Sequence, residues 1–213
     1  MGKDFKIGDE TDQQLVTAIA HQYLRAESAF ARFLQYSSGE YHRTKTEDLH
    51  LNRIFIPERQ WEVDVYNAYA DFLHHLYEYE IGCFKRTLKS LSKIDYRIAD
   101  RMINREANVY RNNCISLIKS GESKKFGLND ISYYEEPVPE EFGKLFREAR
   151  NMNVHADIRR VKSGYMTDYF EKYQKFTLFV FFLGYDHCSN PNPTSIQWND
   201  ITKFASAIFN SNR

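Results

Sequence analysis

The chain has 213 residues, of which 42% are hydrophobic and 15% are aromatic, so it has enough apolar material for a folded domain. That aromatic content excludes intrinsic disorder, and the low counts of 9 Gly and 5 Pro disfavour an all-β fold with its many turns. Its 29 basic and 29 acidic residues cancel, which disfavours nucleic-acid binding through a global positive field and leaves such contact to a local patch.

The N-terminal residues are polar and charged, unlike a signal peptide, and the longest apolar run, 176–185, is too short to cross a bilayer. The three cysteines lack metal-ligand spacing and are typical of reduced thiols. These features predict a cytoplasmic protein, and we expect residues 1–213 to form a single domain.

The first two helices are predicted from apolar residues at helical spacing. One runs over 11–37, and after a polar loop over 38–51 the second begins with Pro57 in its first turn. Their apolar stripes are predicted as Leu15, Ile19, Tyr23, Phe30, Phe33 and Leu34, and as Trp61, Val65, Tyr69, Phe72, Leu76, Phe84, Leu88 and Leu91.

A capping-box pattern at Ser92 predicts the start of a third helix, which Gly121 ends. Its stripe is predicted as Ile98, Met102, Ile103, Ala107, Tyr110, Cys114 and Leu117. The helical pattern then breaks over 122–138.

A fourth helix is predicted over about 139–163, with Pro139 at its start. The fifth, over 167–183, is apolar nearly all round and is therefore expected to be the most buried. A short last helix lies within a C-terminal extension over 185–213. We therefore predict an all-α fold, an up-and-down helical bundle of four to five main helices with a short C-terminal helix.

The fourth helix contains the run Arg-Asn-Met-Asn-Val-His at residues 150–155. A helical wheel places Asn151 and His155 one turn apart, on the side opposite the apolar face. Arg150 lies on the flank, and its long side chain can reach the pair. The apolar face is predicted as Phe142, Leu145, Phe146, Ala149, Met152 and Ala156, and the outer side is shared by Arg147, Val154 and Ile158. Apolar residues on an outer side indicate a partner helix, such as a second copy.

These residue types suit phosphoryl chemistry. Histidine exchanges a proton near neutral pH, and arginine holds a phosphate with a bidentate fork. Asparagine orients either group by hydrogen bonding. RNA carries its own nucleophile, the 2′-hydroxyl, so such a site can cleave it without a metal and leave a 2′,3′-cyclic phosphate.

The run resembles the active-site motif of the HEPN superfamily, whose nuclease members carry Arg, four to six residues and then His, commonly with a polar residue such as Asn directly after the Arg. The resemblance implies a bundle of about four or five helices and metal-independent RNA cleavage without a cofactor. It also implies a composite site built by a homodimer, with Arg150 and His155 catalytic and Asn151 supporting. Family members include toxins and abortive-infection proteins, which implies a toxin or phage-defence effector with an antitoxin as a further partner.

The spacing between Arg and His is weak evidence by itself, because Arg43 and His50 also satisfy it. Those two residues lie in the predicted polar loop, and Arg43 is followed by Thr rather than Asn. The Asn and the helical context favour the later motif. Candidate RNA-binding residues beside it are Arg147, Arg159, Arg160 and Lys162.

Two alternatives remain open. Asp71-x-x-His74 resembles ligands of di-iron bundles, but the second pair that such a site needs is found only at Glu47-x-x-His50, in the loop. His74 or His75 otherwise edges the core or supports the active site. The other alternative is a non-catalytic HEPN-like module for dimerisation or partner binding, which the zero net charge fits.

Overall fold

In a computed structural model, the described residues are 4–38, 57–154, 164–187, 203 and 206–208. That part of the chain contains six α-helices, one 3-10 helix and no β-strand. The helices are α1 (Glu10–Tyr36), α2 (Pro57–Thr87), α3 (Tyr96–Lys119), the 3-10 helix (Ser123–Phe126), α4 (Ile131–Glu135), α5 (Phe142–Val154) and α6 (Tyr165–His187). The prediction of an all-α helical bundle is confirmed.

The ends of α1 and α2 follow from local chemistry. Asp9 caps α1, because its carboxylate accepts the backbone N–H of Asp12 at 2.8 Å. The chain leaves α2 after Thr87, and Lys89 has a positive φ of 52°. Three residues predicted on the two stripes are exposed instead, namely Leu34, Leu88 and Leu91.

The third helix starts later than predicted. Its cap is Asp95 rather than Ser92, since the Asp95 carboxylate accepts the backbone N–H of Arg97 at 2.8 Å. Ile98, predicted on the stripe, is therefore in the first turn and exposed. The segment predicted to be irregular contains the short helix α4, which buries Tyr134.

Helices α1 and α2 pack antiparallel along their lengths. Arg86 near the end of α2 pairs with Asp12 near the start of α1, and Trp61 Nε1 donates to the carbonyl of Tyr36 at 2.7 Å. The predicted burial of α6 is confirmed for most of its apolar run, including Phe176, Phe179, Val180 and Phe181, whereas Phe182 is exposed. No helix among the described residues is long and apolar enough to cross a membrane.

Helix α5 lies against α2, α3 and α6 at once. Four residues of its predicted apolar face are confirmed as buried, namely Phe142, Phe146, Ala149 and Met152, whereas Leu145 is partly buried and Ala156 lies outside the described residues. The helix starts with a close approach to α3: Gly143 donates its N–H to Asn104 Oδ1 at 2.6 Å, and a Cβ at Gly143 would lie 2.1 Å from the carbonyl oxygen of Asp100. Only glycine fits this contact, which fixes the position of α5 against α3.

Candidate functional site

Helix α5 carries the described part of the predicted motif. Arg150 and Asn151 lie near its C-terminal end, and Arg150 extends across to α2. The Arg150 side chain is 18% exposed, so it is largely covered by the protein's own helices. Four other predicted site residues lie outside the described residues, namely His155, Arg159, Arg160 and Lys162.

The guanidinium of Arg150 has three neighbours. One terminal nitrogen donates to Glu78 Oε1 of α2, and the other donates to Asn151 Oδ1 at 2.9 Å. The Cζ atom of Arg150 lies 5.5 Å from the ring centroid of Tyr77. The predicted contact between Arg150 and Asn151 is therefore present, but the guanidinium faces α2 rather than an outer surface.

One of the three guanidinium nitrogens of Arg150 has no partner in the described part of the chain. Its Nε is buried and has no hydrogen-bond partner among the described residues. A buried donor without a partner is uncommon, because losing its hydrogen bonds to water costs about 1–3 kcal/mol. The guanidinium is thus held in place with part of its hydrogen-bonding capacity unused.

Arg147 lies three residues earlier on the same helix, and its predicted position on the outer side is wrong. Its Nε and one terminal nitrogen each donate to the carboxylate of Asp100 on α3, both at 2.9 Å. The guanidinium also lies 4.9 Å from the ring centroid of Tyr96. The fork of Arg147 is occupied by a partly buried structural partner, and this placement gives no support to its predicted role as an RNA contact.

Helix α2 contributes a histidine to the neighbourhood of Arg150. His74 is half-buried, and its Nδ1 is buried without a hydrogen-bond partner in the described part of the chain. Burial lowers the pKa of His74, and the positive charge of Arg150 lowers it further. His74 is therefore neutral at neutral pH and lies one helical turn before Glu78.

The neighbouring histidine faces α1 instead. His75 Nδ1 lies 2.9 Å from Gln22 Oε1, and the rings of His74 and His75 meet edge-on with centroids 5.0 Å apart. Burial lowers the pKa of His75 to about 4. This agrees with the expectation that one of the two histidines edges the core.

The di-iron pattern is not assembled in the described part of the chain. Asp71 forms an ion pair with Arg32 of α1 at 3.1 Å. No group of three or more His, Cys, Asp and Glu side chains suited to a metal ion occurs among the described residues. Glu47 and His50 lie outside them.

A separate apolar cavity of about 590 Å³ lies where α1, α2, α5 and α6 meet. Among the described residues of its lining, six side chains are aromatic and Glu62 is the only charged one. The aromatic residues are Phe33, Trp61, Tyr66, Tyr69, Tyr165 and Phe170. The cavity touches α5 through Met152, two residues after Arg150.

The sequence predicted Arg150 and Asn151 but missed Glu78 and Tyr77, which complete their surroundings. The signal that points to α2 is the pair His74 and Glu78, two polar residues one turn apart on the same face of the helix. Chemically, the cluster offers a permanent cation, a neutral imidazole and an amide, which is a set suited to binding an anion and moving a proton beside it.

Comparisons of the chain with protein-family models, with curated proteins and with solved structures find no match.

Proposed function

We propose that the chain is a metal-independent endoribonuclease of the HEPN type. The observation that carries the proposal is Arg150, held near the C-terminal end of α5 by Asn151 and Glu78, which use only two of its five N–H donors. A guanidinium with spare donors in a largely covered position is suited to a phosphodiester. The run from Arg150 to His155 supplies the histidine that the chemistry needs.

The reaction balances without a cofactor. The RNA 2′-hydroxyl loses its proton to a base and attacks the adjacent phosphorus, which forms a 2′,3′-cyclic phosphate. The 5′-oxygen leaves and takes up a proton. In this mechanism His155 exchanges protons, Arg150 stabilises the charge on the phosphoryl oxygens, and Asn151 orients the guanidinium.

The proposal includes a homodimer, in which two copies of the motif share one cleft, and a cytoplasmic role as a toxin or phage-defence effector. An antitoxin protein is the partner that such a role requires. The described contacts of Arg150 are made within one copy, and a second copy would bring its own Arg150 and His155 to the shared cleft.

The test is RNA cleavage by purified protein in EDTA. We expect wild type to leave 2′,3′-cyclic phosphate ends, and His155→Ala and Arg150→Ala to lower the rate by about 100-fold or more. His50→Ala is the matched control, because His50 belongs to the other Arg-to-His spacing in the chain. Equal rates in all four proteins, or activity only after a metal is added, would contradict the proposal.

The second candidate function is a non-catalytic binding module. The observation in its favour is the cavity, whose volume of about 590 Å³ lies in the range of small-molecule sites and whose lining is mainly aromatic. On this hypothesis the occupant is a flat, uncharged aromatic molecule, and Arg150 has only a structural role.

Two measurements separate the candidates. Binding in the cavity should change the fluorescence of Trp61, which can be isolated by Trp198→Phe because the chain has 2 Trp residues. Expression in bacteria should slow growth only if the chain is a nuclease, and His155→Ala should remove that effect.

A further inference from the structure

The ion pair between Arg150 and Glu78 joins α5 to α2 beside the candidate site. The two side chains are 18% and 32% exposed, so the pair lies near the surface on the Glu78 side. Glu78 offers the guanidinium one carboxylate oxygen. The contact is therefore made by only one of the terminal nitrogens of Arg150.

Glu78 supplies the negative charge that Arg150 needs when no substrate is present. A guanidinium keeps its charge at all physiological pH values, and a covered charge without a counter-ion is costly. A phosphodiester carries one negative charge on two free oxygens, so it can replace the carboxylate with no change in local charge. Only two of the five N–H donors of Arg150 are used by Asn151 and Glu78, so a phosphate with two free oxygens can accept more hydrogen bonds from the guanidinium than Glu78 does.

The surroundings of Glu78 permit this exchange. Glu78 is about one-third exposed, so its carboxylate can turn into water, where it is well solvated. His74, the neighbour one turn earlier, has a pKa lowered by burial and by Arg150 and is neutral at neutral pH. His74 therefore adds no positive charge that would keep the Glu78 carboxylate beside Arg150.

We propose that Glu78 sets the affinity of the site for phosphate: it occupies Arg150 in the free protein and is displaced by the phosphodiester of RNA. The proposal rests on the proposed function, in which Arg150 binds that phosphodiester. Glu78 would then determine specificity, because an anion that binds weakly does not separate Glu78 from Arg150. An RNA that makes further contacts along its chain binds strongly enough to separate them.

The test is the affinity for a short RNA that carries 2′-O-methyl groups and so resists cleavage, measured by fluorescence anisotropy. We expect Glu78→Gln to tighten binding about tenfold, since the amide no longer competes as an anion. Arg150→Ala should weaken binding by a similar factor. The double variant should bind like Arg150→Ala alone, because Glu78 acts only through that arginine.

Asp71→Asn is the matched control. It removes the same charge from the same helix, but Asp71 pairs with Arg32 and not with Arg150. We expect its affinity for the RNA to equal that of wild type. An equal gain from Asp71→Asn and Glu78→Gln would show a general effect of net charge and overturn the proposal.

The remaining outcomes separate this proposal from the proposed function. Weaker binding by Glu78→Gln would mean that Glu78 positions Arg150, which overturns the proposal and leaves the nuclease function standing. No effect of Arg150→Ala in either background would overturn the proposed function itself. Glu78→Asp, whose shorter side chain reaches Arg150 less well, is the second variant if Glu78→Gln does not fold, and it too should tighten binding.

Discussion

The two arginines of α5 lie three residues apart, are equally covered, and are used differently. Arg147 and Arg150 are both 18% exposed. Arg147 shares two hydrogen bonds with a carboxylate that is itself 15% exposed, whereas Arg150 bonds one oxygen of a carboxylate that is 32% exposed. The first pair has its hydrogen bonds made and its charges covered, as a structural contact requires. In the second pair, Nε of Arg150 has no partner among the described residues and the carboxylate of Glu78 is exposed enough to turn into solvent, as a binding site requires.

The difference extends along the whole helix. The N-terminal half of α5 is fixed against α3 by Gly143 and Arg147, and the C-terminal half faces α2 through Arg150. Substitutions in the first half should therefore change stability, and substitutions in the second half should change function. Two measurements test this contrast, and a third tests the acid stability of α2.

The largest expected effect on stability is that of Asp100→Asn. The substitution leaves the charge of Arg147 covered and without its counter-ion, which we expect to lower the free energy of unfolding by about 3 kcal/mol. Glu78→Gln should cost only about 1 kcal/mol, because its carboxylate makes one bond and is more exposed. Urea denaturation of the two variants gives both values. Equal losses would remove the distinction between the two pairs.

Gly143→Ala is expected to be next in size. The added methyl group would lie 2.1 Å from the carbonyl oxygen of Asp100, a backbone atom that cannot turn aside. We expect overpacking to cost about 1–3 kcal/mol and to push α5 away from α3. The control is Gly121→Ala, at a site with open space but a φ of 81°, where only backbone strain is added. A thermal melt in which Gly143→Ala is as stable as wild type would contradict the close approach.

The smallest expected effect concerns acid stability on the α2 side. Burial lowers the pKa of His75 to about 4 in the folded protein, against 6.5 in an exposed histidine. Between these values the unfolded chain binds more protons, so the free energy of unfolding falls as the pH is lowered from about 6.5 to about 4. We expect His75 to contribute about 1 kcal/mol to that fall, since its half-exposed ring is partly screened by water.

The measurement is the melting temperature across that pH range for wild type and His75→Gln. The variant keeps a polar side chain next to Gln22 but does not titrate, so its curve should be flatter. Identical curves would mean that His75 is not the group responsible, and the same comparison with His74→Gln would then identify the other histidine.

Much of the fold was predictable from the sequence, because long helices repeat their apolar residues every turn. Most of the apolar face of α5 and most of the buried run of α6 were predicted in this way and are confirmed among the described residues. Helix α4 was missed, since five residues are too few to show a period. Its burial of Tyr134 depends on contacts with distant parts of the chain.

The wheel for α5 failed at Arg147 for a definite physical reason. A wheel divides a helix into one packed side and one free side, whereas α5 contacts three helices. Asp100 and Glu78, the partners of its arginines, are 47 and 72 residues away in the chain, so no local pattern reveals them. The assignment of Arg150 and Asn151 as site residues stays a prediction, as does that of His155.

The covered Nε–H of Arg150 has a spectroscopic consequence. A proton shielded from water exchanges slowly, so this group should give a sharp side-chain signal in ¹⁵N NMR under conditions where exposed arginines are broadened. Arg147, whose Nε is bonded to Asp100, should give a second such signal that serves as an internal standard. The chemical-shift difference between the two signals would then report whether the Nε–H of Arg150 has gained a hydrogen-bond partner, in a sample that performs no reaction.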